Sequence, residues 1–280
     1  MTATDAEKLE IVSGFIKDSP PGEINDVFND VRSLVADDSL LQNTIESTFA
    51  DHHAKQLVSV QVPSKDYEVI LGEYGCIEPS KYVDPRSGQA LIVDLVHQTV
   101  KSVEPYHSKC SAHLLDQRAA LDVAVQEYTA SFYPSSVCTV WATEDEALVI
   151  AIVANKYHPD SFWSGRWRSL WRLEPKSSML TGSAKVQVHY YEDGNVQHNS
   201  TQDYSVSITA SDQEPSTLAA TVIKHISKLE AEYQTTLNDQ HNRLALETFK
   251  SLRRALPISR TKIEWQGILS YKIGSELVSK

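Results

Sequence analysis

Apolar residues recur every three or four positions through the first fifty-odd residues. Leu9, Val12, Phe15 and Ile16 form one stripe, Ile24, Val27, Val31, Leu34 and Val35 a second, and Leu41, Ile45 and Phe49 a third. Positions three and four apart share one face of a helix, so this spacing predicts three amphipathic helices. Thr4 with Glu7 has the form of a capping box. Asp18-Ser19-Pro20-Pro21-Gly22 ends the first helix, because proline has no donor and biases its predecessor away from helical angles. Three helices with tight links suggest a small up-and-down bundle.

The period then changes. Val58, Val60 and Val62 alternate, Tyr67–Leu71 and Ala90–Val96 read as further strands, and Asp84-Pro85-Arg86-Ser87-Gly88 reads as a turn. A helix is predicted from about Ser111 to Tyr128, carrying Leu114, Leu115, Leu121 and Val125. Five strands follow, at Val137–Trp141, Ala147–Ala154, Trp163–Leu173, Ala184–Tyr191 and Tyr204–Thr209. In the third, Trp163, Trp167, Trp171 and Leu173 share one parity while Arg166, Arg168 and Arg172 share the other. That predicts a buried aromatic face and a wet basic face. Asp193-Gly194 is a hairpin signal, and short links favour an antiparallel meander.

Pro215 suits a first helical turn, and Leu218, Val222, Ile226, Leu229, Tyr233 and Leu237 carry the spacing onward. No glycine or proline interrupts Ser216–Leu256, a run of 41 residues. Such a helix is roughly 60 Å long, so it must cross a wide surface such as a sheet, or bridge to a partner. Beyond Pro257, Trp265, Ile268, Leu269, Ile273 and Leu277 predict an amphipathic tail helix with no following chain to pack on. The expected fold class is α+β. Its parts are a helical stalk (1–55), a mixed globule (56–132), a five-stranded antiparallel sheet (133–212), a long helix over that sheet (213–257) and a mobile amphipathic tail (258–280).

Charge sharpens this picture. The 280 residues carry a formal −11, which disfavours nonspecific binding to nucleic acid or an anionic membrane. The imbalance is not uniform. Lys250, Arg253, Arg254, Arg260, Lys262, Lys272 and Lys280 face only Glu264 and Glu276, so residues 250–280 carry +5 and the rest −16. Cations at a helix end are generically favourable, but these are followed at once by the unpartnered stripe around Trp265. Charge for steering beside apolar anchors is what a partner-binding helix needs. An acidic, grooved protein is the first candidate partner and an anionic membrane surface the second.

Catalytic patterns are weak by comparison. There is no G-x-G-x-x-G, no phosphate-loop motif and no G-x-S-x-G. Gly182-Ser183-Ala184-Lys185 echoes a phosphate loop but precedes a strand rather than a helix. His52-His53 falls near a helix end, where histidine meets carbonyl dipoles, and lacks the spacing and third ligand of a metal site. His107 and Cys110 stand within a turn of each other without an orienting third group, so Cys110 reads as buried and inert. Glu144-Asp145-Glu146 reads as an acidic hairpin loop. Cys76, Cys110 and Cys138 are widely spaced and odd in number, which suggests reduced, buried thiols in a cytosolic chain. The amino terminus lacks the pattern of a signal peptide, and no apolar run approaches the length of a membrane span. No enzyme activity, cofactor or metal is expected.

A resemblance rests on three blocks. Leu252-Arg253-Arg254-Ala255-Leu256-Pro257, Arg260-Thr261-Lys262-Ile263-Glu264-Trp265 and Ile268-Leu269-Ser270-Tyr271-Lys272-Ile273-Gly274 together resemble the carboxyl terminus of the F-actin-capping protein alpha subunit family. Phe15-Ile16-Lys17-Asp18-Ser19-Pro20-Pro21-Gly22-Glu23 resembles its amino-terminal segment, and Leu180-Thr181-Gly182-Ser183-Ala184-Lys185-Val186 its central strand. The departures, Ala255, Ile258, Ser259, Gln266 and Gly267, are mild. The resemblance implies a heterodimer with a homologous beta subunit, the two sheets joined, capping the barbed end of actin filaments without calcium or nucleotide. It implies that Lys250, Arg253 and Arg254 contact actin and can also meet phosphoinositide head groups, and that Trp265 and Leu269 occupy apolar tail positions. With Arg260, Lys262 and Ile268 these make up the expected actin-binding set. Phosphoinositides and protein regulators are further expected partners, and a phosphoinositide-responsive membrane-surface scaffold is the alternative function.

Overall fold

The computed structural model describes residues 4–19, 23–35, 38–192, 195–208 and 214–243. Two compact units divide the chain, Met1–Ser227 and Lys228–Lys280.

Three helices open the first unit: α1 (Asp5–Lys17), α2 (Ile24–Val35) and α3 (Asp38–Gln56). The capping box forms. Thr4 N donates to the Glu7 carboxylate at 2.8 Å, and Glu7 N donates back to the Thr4 hydroxyl at 3.4 Å, which satisfies two backbone donors at the helix start. The stripes are buried in part. Val12, Ile16, Ile24, Val31 and Phe49 lie inside, and Phe28 meets Phe49 edge-on at 5.4 Å. Phe15 and Leu34, read as inward, are instead 59% and 83% exposed.

Next come the pair β1 (Ser59–Gln61) and β2 (Glu68–Ile70), then a four-stranded sheet of β3 (Cys76–Glu78), β4 (Lys81–Asp84), β5 (Gln89–Asp94) and β6 (Thr99–Pro105), in that order. Their inward residues Val60, Val62, Val69, Leu71, Tyr82, Leu91, Val93 and Leu95 join Val12, Ile16, Ile24, Val31 and Phe49 in one cluster. Stalk and globule therefore share a core. Helix α4 (Ala112–Phe132) follows, with Ser111 as its cap: the hydroxyl accepts from Leu114 N at 3.3 Å.

The large sheet is a meander of β7 (Ser136–Ala142), β8 (Leu148–His158), β9 (Trp163–Glu174), β10 (Met179–Tyr190) and β11 (Val196–Ser207). Every neighbouring pair is antiparallel. Leu148–Val153 of β8 is buried on both faces, as its unbroken apolar run requires. One row crosses all five strands: Val140, Ile150, Trp171, Gly182 and Tyr204. Trp171 stacks on Tyr204 across Gly182, with ring centroids 5.0 Å apart and planes at 21°. A Cβ at Gly182 would collide with the Trp171 ring and come within 2.7 Å of Leu170 O. The glycine of the apparent phosphate loop is thus the gap through which two aromatic rings meet. Helix α5 (Pro215–Arg243) follows the sheet; in the first unit Leu218, Ala219, Val222 and Ile226 form its buried stripe.

The basic face of β9 departs from the sequence reading. Arg166 and Arg168 are 6% and 4% exposed, not wet. Their guanidiniums reach the end of α3, where Arg166 donates to Leu57 O at 3.1 Å and Arg168 to Lys55 O at 2.8 Å. The carbonyls at a helix terminus lack helical partners and are natural acceptors for cations. Two buried arginines therefore fasten the stalk to the sheet.

Candidate partner-binding surfaces

The residues expected to meet actin, namely Lys250, Arg253, Arg254, Arg260, Lys262, Trp265, Ile268 and Leu269, lie outside the described residues, as does the whole amphipathic tail. Residues Ser216–Arg243 of the expected 41-residue helix are observed within α5; the remainder also lies outside.

Among the described residues one open surface is the outer edge of β11. This strand pairs with β10 through twelve consecutive positions, from Met179 opposite Ser207 to Tyr190 opposite Val196. Its other edge has no partner among the described residues. Edge strands are ordinarily guarded by lysines, prolines, bulges or short length. None of these is present: Val196–Ser207 has twelve residues, no bulge, no proline and one charge, Asp203. Standing last in the strand order among the described residues, the edge is a long template suited to another strand. Sequence reading found only the last third of this strand, from Tyr204. The signal for the rest was the Asp193-Gly194 hairpin motif in the sequence, since residues after such a motif are expected to mirror those before it.

A second open feature lies on the stalk. Ile11 and Phe15, one turn apart on α1, are 57% and 59% exposed. Adjacent large apolar side chains standing in water on a helix mark a surface that another element can cover.

Among the catalytic candidates, the histidine pair and the acidic turn are tied into the fold. His52 and His53 are 3% and 0% exposed, so they do not meet helix-end dipoles as cations. They form a relay in which His52 Nε2 lies 3.1 Å from the Ser19 hydroxyl, the two Nδ1 atoms lie 3.3 Å apart, and His53 Nε2 lies 2.6 Å from Leu95 O. His53 Nε2 donates to that carbonyl, which leaves its Nδ1 as acceptor for His52. Both rings are neutral: burial, the neighbouring imidazole and the Arg166 and Arg168 charges hold His52 down to about 3, and burial also lowers His53. Near His107, Cys110 N donates to the Ser108 hydroxyl at 3.2 Å. Cys110 is only partly buried and Cys76 is exposed, so of the three expected buried thiols Cys138 alone qualifies. The acidic turn between β7 and β8 is engaged by cations: Glu144 with Lys109 at 2.9 Å, Asp145 with Arg172 and Glu146 with Lys176. Among the described residues no group of His, Cys, Asp and Glu side chains could hold a metal ion, and no helix is long and apolar enough to cross a membrane.

Comparison with known proteins places this architecture. A model of the family described as F-actin capping protein alpha subunit matches residues 12–276. The chain is 38% identical over 283 residues to the F-actin-capping protein subunit alpha of Dictyostelium discoideum, spanning 98% of this chain and 99% of that one. It is 35% identical over 274 residues to the corresponding subunit of Emericella nidulans, spanning 97% of each. In fold it resembles the solved homodimeric actin capping protein alpha subunit from Plasmodium berghei, with a TM-score of 0.68 at 17% identity over 83% of this chain and 92% of that one. With a family match running nearly end to end, this chain belongs to the F-actin capping protein alpha subunit family.

Proposed function

We propose that the chain is the alpha subunit of a heterodimer that caps actin filament barbed ends and blocks subunit exchange there. The observation that carries this reading is that the family match runs to residue 276, through both the cationic cluster and the apolar tail. The unguarded edge of β11 and the exposed Ile11–Phe15 stripe support a second subunit. A beta subunit adding its own strand to that edge would extend the sheet and cover the open peptide groups.

On this reading Lys250, Arg253 and Arg254, with Arg260 and Lys262, meet acidic patches on the terminal actin subunits. Exposed charge chiefly raises the association rate and makes it salt-sensitive. Trp265, Ile268 and Leu269 then enter a hydrophobic groove and chiefly lower the dissociation rate. Lys250, Arg253 and Arg254 would also accept phosphoinositide head groups, which would compete with actin. Capping would proceed in the cytoplasm, without calcium.

The test is elongation of pyrene-labelled actin from filament seeds in the presence of the co-expressed dimer. Reversing charge at Arg253 and Arg254 together should slow the onset of capping by about tenfold or more, and less so at high salt. Truncation after Pro257 should leave onset nearly unchanged and shorten the capped interval. Chelating calcium should change neither. Variants that cap at the wild-type rate and for the wild-type time would refute these roles.

A further inference from the structure

Arg168 and Lys185 occupy directly opposed positions on β9 and β10. Cross-strand neighbours on one face stand about 5 Å apart, and like charges so placed repel. Arg166 lies two residues before Arg168 and shares its face, so three cations are adjacent. Among the described residues no carboxylate is bonded to them. The Arg166 and Arg168 guanidiniums donate to the neutral acceptors Leu57 O, Lys55 O, Gln56 Oε1 and Gln187 Oε1, and both Nε atoms are buried without an acceptor. Lys185 has no ion pair among the described residues. In a chain of net −11 two buried guanidiniums beside a half-buried ammonium, with no carboxylate bonded to them, are an anomaly, because buried charges are ordinarily paired.

Two cavities flank the cluster, and Lys185 lines both. The first, about 250 Å³, is also lined by Lys55, Arg168 and Ser183, with Glu73 as its one carboxylate. The second, about 420 Å³, carries Lys17, Gln187 and Asn199, with Asp18 and His189 on its wall. Lys17 is already paired with Asp51 and His189 with Glu23. The uncompensated charge therefore faces the first cavity, where a cationic side chain 4% exposed, an ammonium, a hydroxyl and the exposed Lys55 converge.

We propose that this cavity at the stalk–sheet junction binds a phosphate group, held between Arg168, Lys185 and Lys55 with Ser183 as a hydroxyl donor. A doubly charged oxyanion with several acceptors answers three neighbouring cations better than a single carboxylate does. Bound there, it bridges the end of α3 to β9 and β10 and so reinforces the same joint as the arginines. The group could be a free phosphate or phosphomonoester, or the head group of a phosphoinositide in a bilayer.

Lys185→Gln distinguishes these outcomes in the purified dimer. Titrated by calorimetry, inorganic phosphate should bind the wild type with a saturating stoichiometry of one per alpha chain, and the variant about tenfold more weakly. In chloride buffer the variant should melt at or above the wild-type temperature, since a repulsive neighbour of Arg168 has been removed; saturating phosphate should reverse that order. If only phosphatidylcholine vesicles carrying phosphatidylinositol bisphosphate bind, and Lys185→Gln weakens that binding, the source is the lipid head group. If Lys185→Gln changes neither phosphate nor vesicle binding, or melts below the wild type without phosphate, the proposal is overturned.

Discussion

At the scale of single residues, polar groups inside the protein are placed by need. Arg86 grips Asp122 with two nitrogens at 2.9 and 3.1 Å, and also donates to Cys138 O at 2.9 Å. The two side chains are 16% and 7% exposed. Asp122→Asn should therefore destabilise the chain by about 3 kcal/mol, because it strands a buried guanidinium; the midpoint of urea unfolding measures this, and a shift within error would disprove it. Such residues were only half legible. The parity of Arg166 and Arg168 put them on the right face, but nothing in a strand's alternation reveals what covers that face. The end of α3, more than a hundred residues earlier in the chain, buries them. Gly182 was read from the alternation as preceding a strand, whereas it lies inside β10, and its role as a gap for Trp171 needs the neighbouring strand to be seen.

At the scale of elements, the interplay of α1, α3 and β5 gives the molecule a pH response. The free imidazole protonates near 6.5, whereas His52 inside the fold holds out to about 3. Between those values the unfolded chain binds the extra proton, so stability is complete above about pH 6.5 and declines on acidification. The loss approaches about 1.4 kcal/mol per pH unit, roughly 2 kcal/mol by pH 5. Urea midpoints at pH 7 and pH 5 should show this drop, and His52→Gln should flatten it; equal midpoints for the wild type would contradict the buried, neutral assignment. The helices and the longer core strands were readable because each repeats its period over several turns or residues, whereas the short β3 and β4 were not read. β6 was not, since Thr99–Pro105 stands largely in water and lacks a clean alternation. The end of α3 also carries no glycine signal: Leu57 itself takes the left-handed turn at φ 50°.

At the scale of the whole molecule, the fold leaves work for another chain. A twelve-residue unguarded edge and bare apolar side chains on the stalk predict that the subunit expressed alone will self-associate or precipitate. Size-exclusion chromatography at low and high concentration should show this, and co-expression with a beta subunit should replace it with a one-to-one complex. A soluble monomer melting in a single cooperative step would argue against it. The architecture was legible almost throughout, from stalk to meander to long helix, because each part has its own hydrophobic period. The proposed partner surfaces differ in origin: the tail is read from charge and composition alone and lies outside the described residues, whereas the sheet edge became visible only once its position at the end of the strand order was known.

The joint between stalk and sheet has a mechanical corollary. Arg166 and Arg168 clasp peptide oxygens of residues 55 and 57, and every amino acid supplies that oxygen. Those two bonds do not depend on which side chains stand at the tip of α3, although Arg168 also donates to Gln56 Oε1, while the arginines are not replaceable by lysine, whose single ammonium has no fork. A push on the distal stalk would accordingly be passed into the strands as torque rather than dissipated in a flexible elbow.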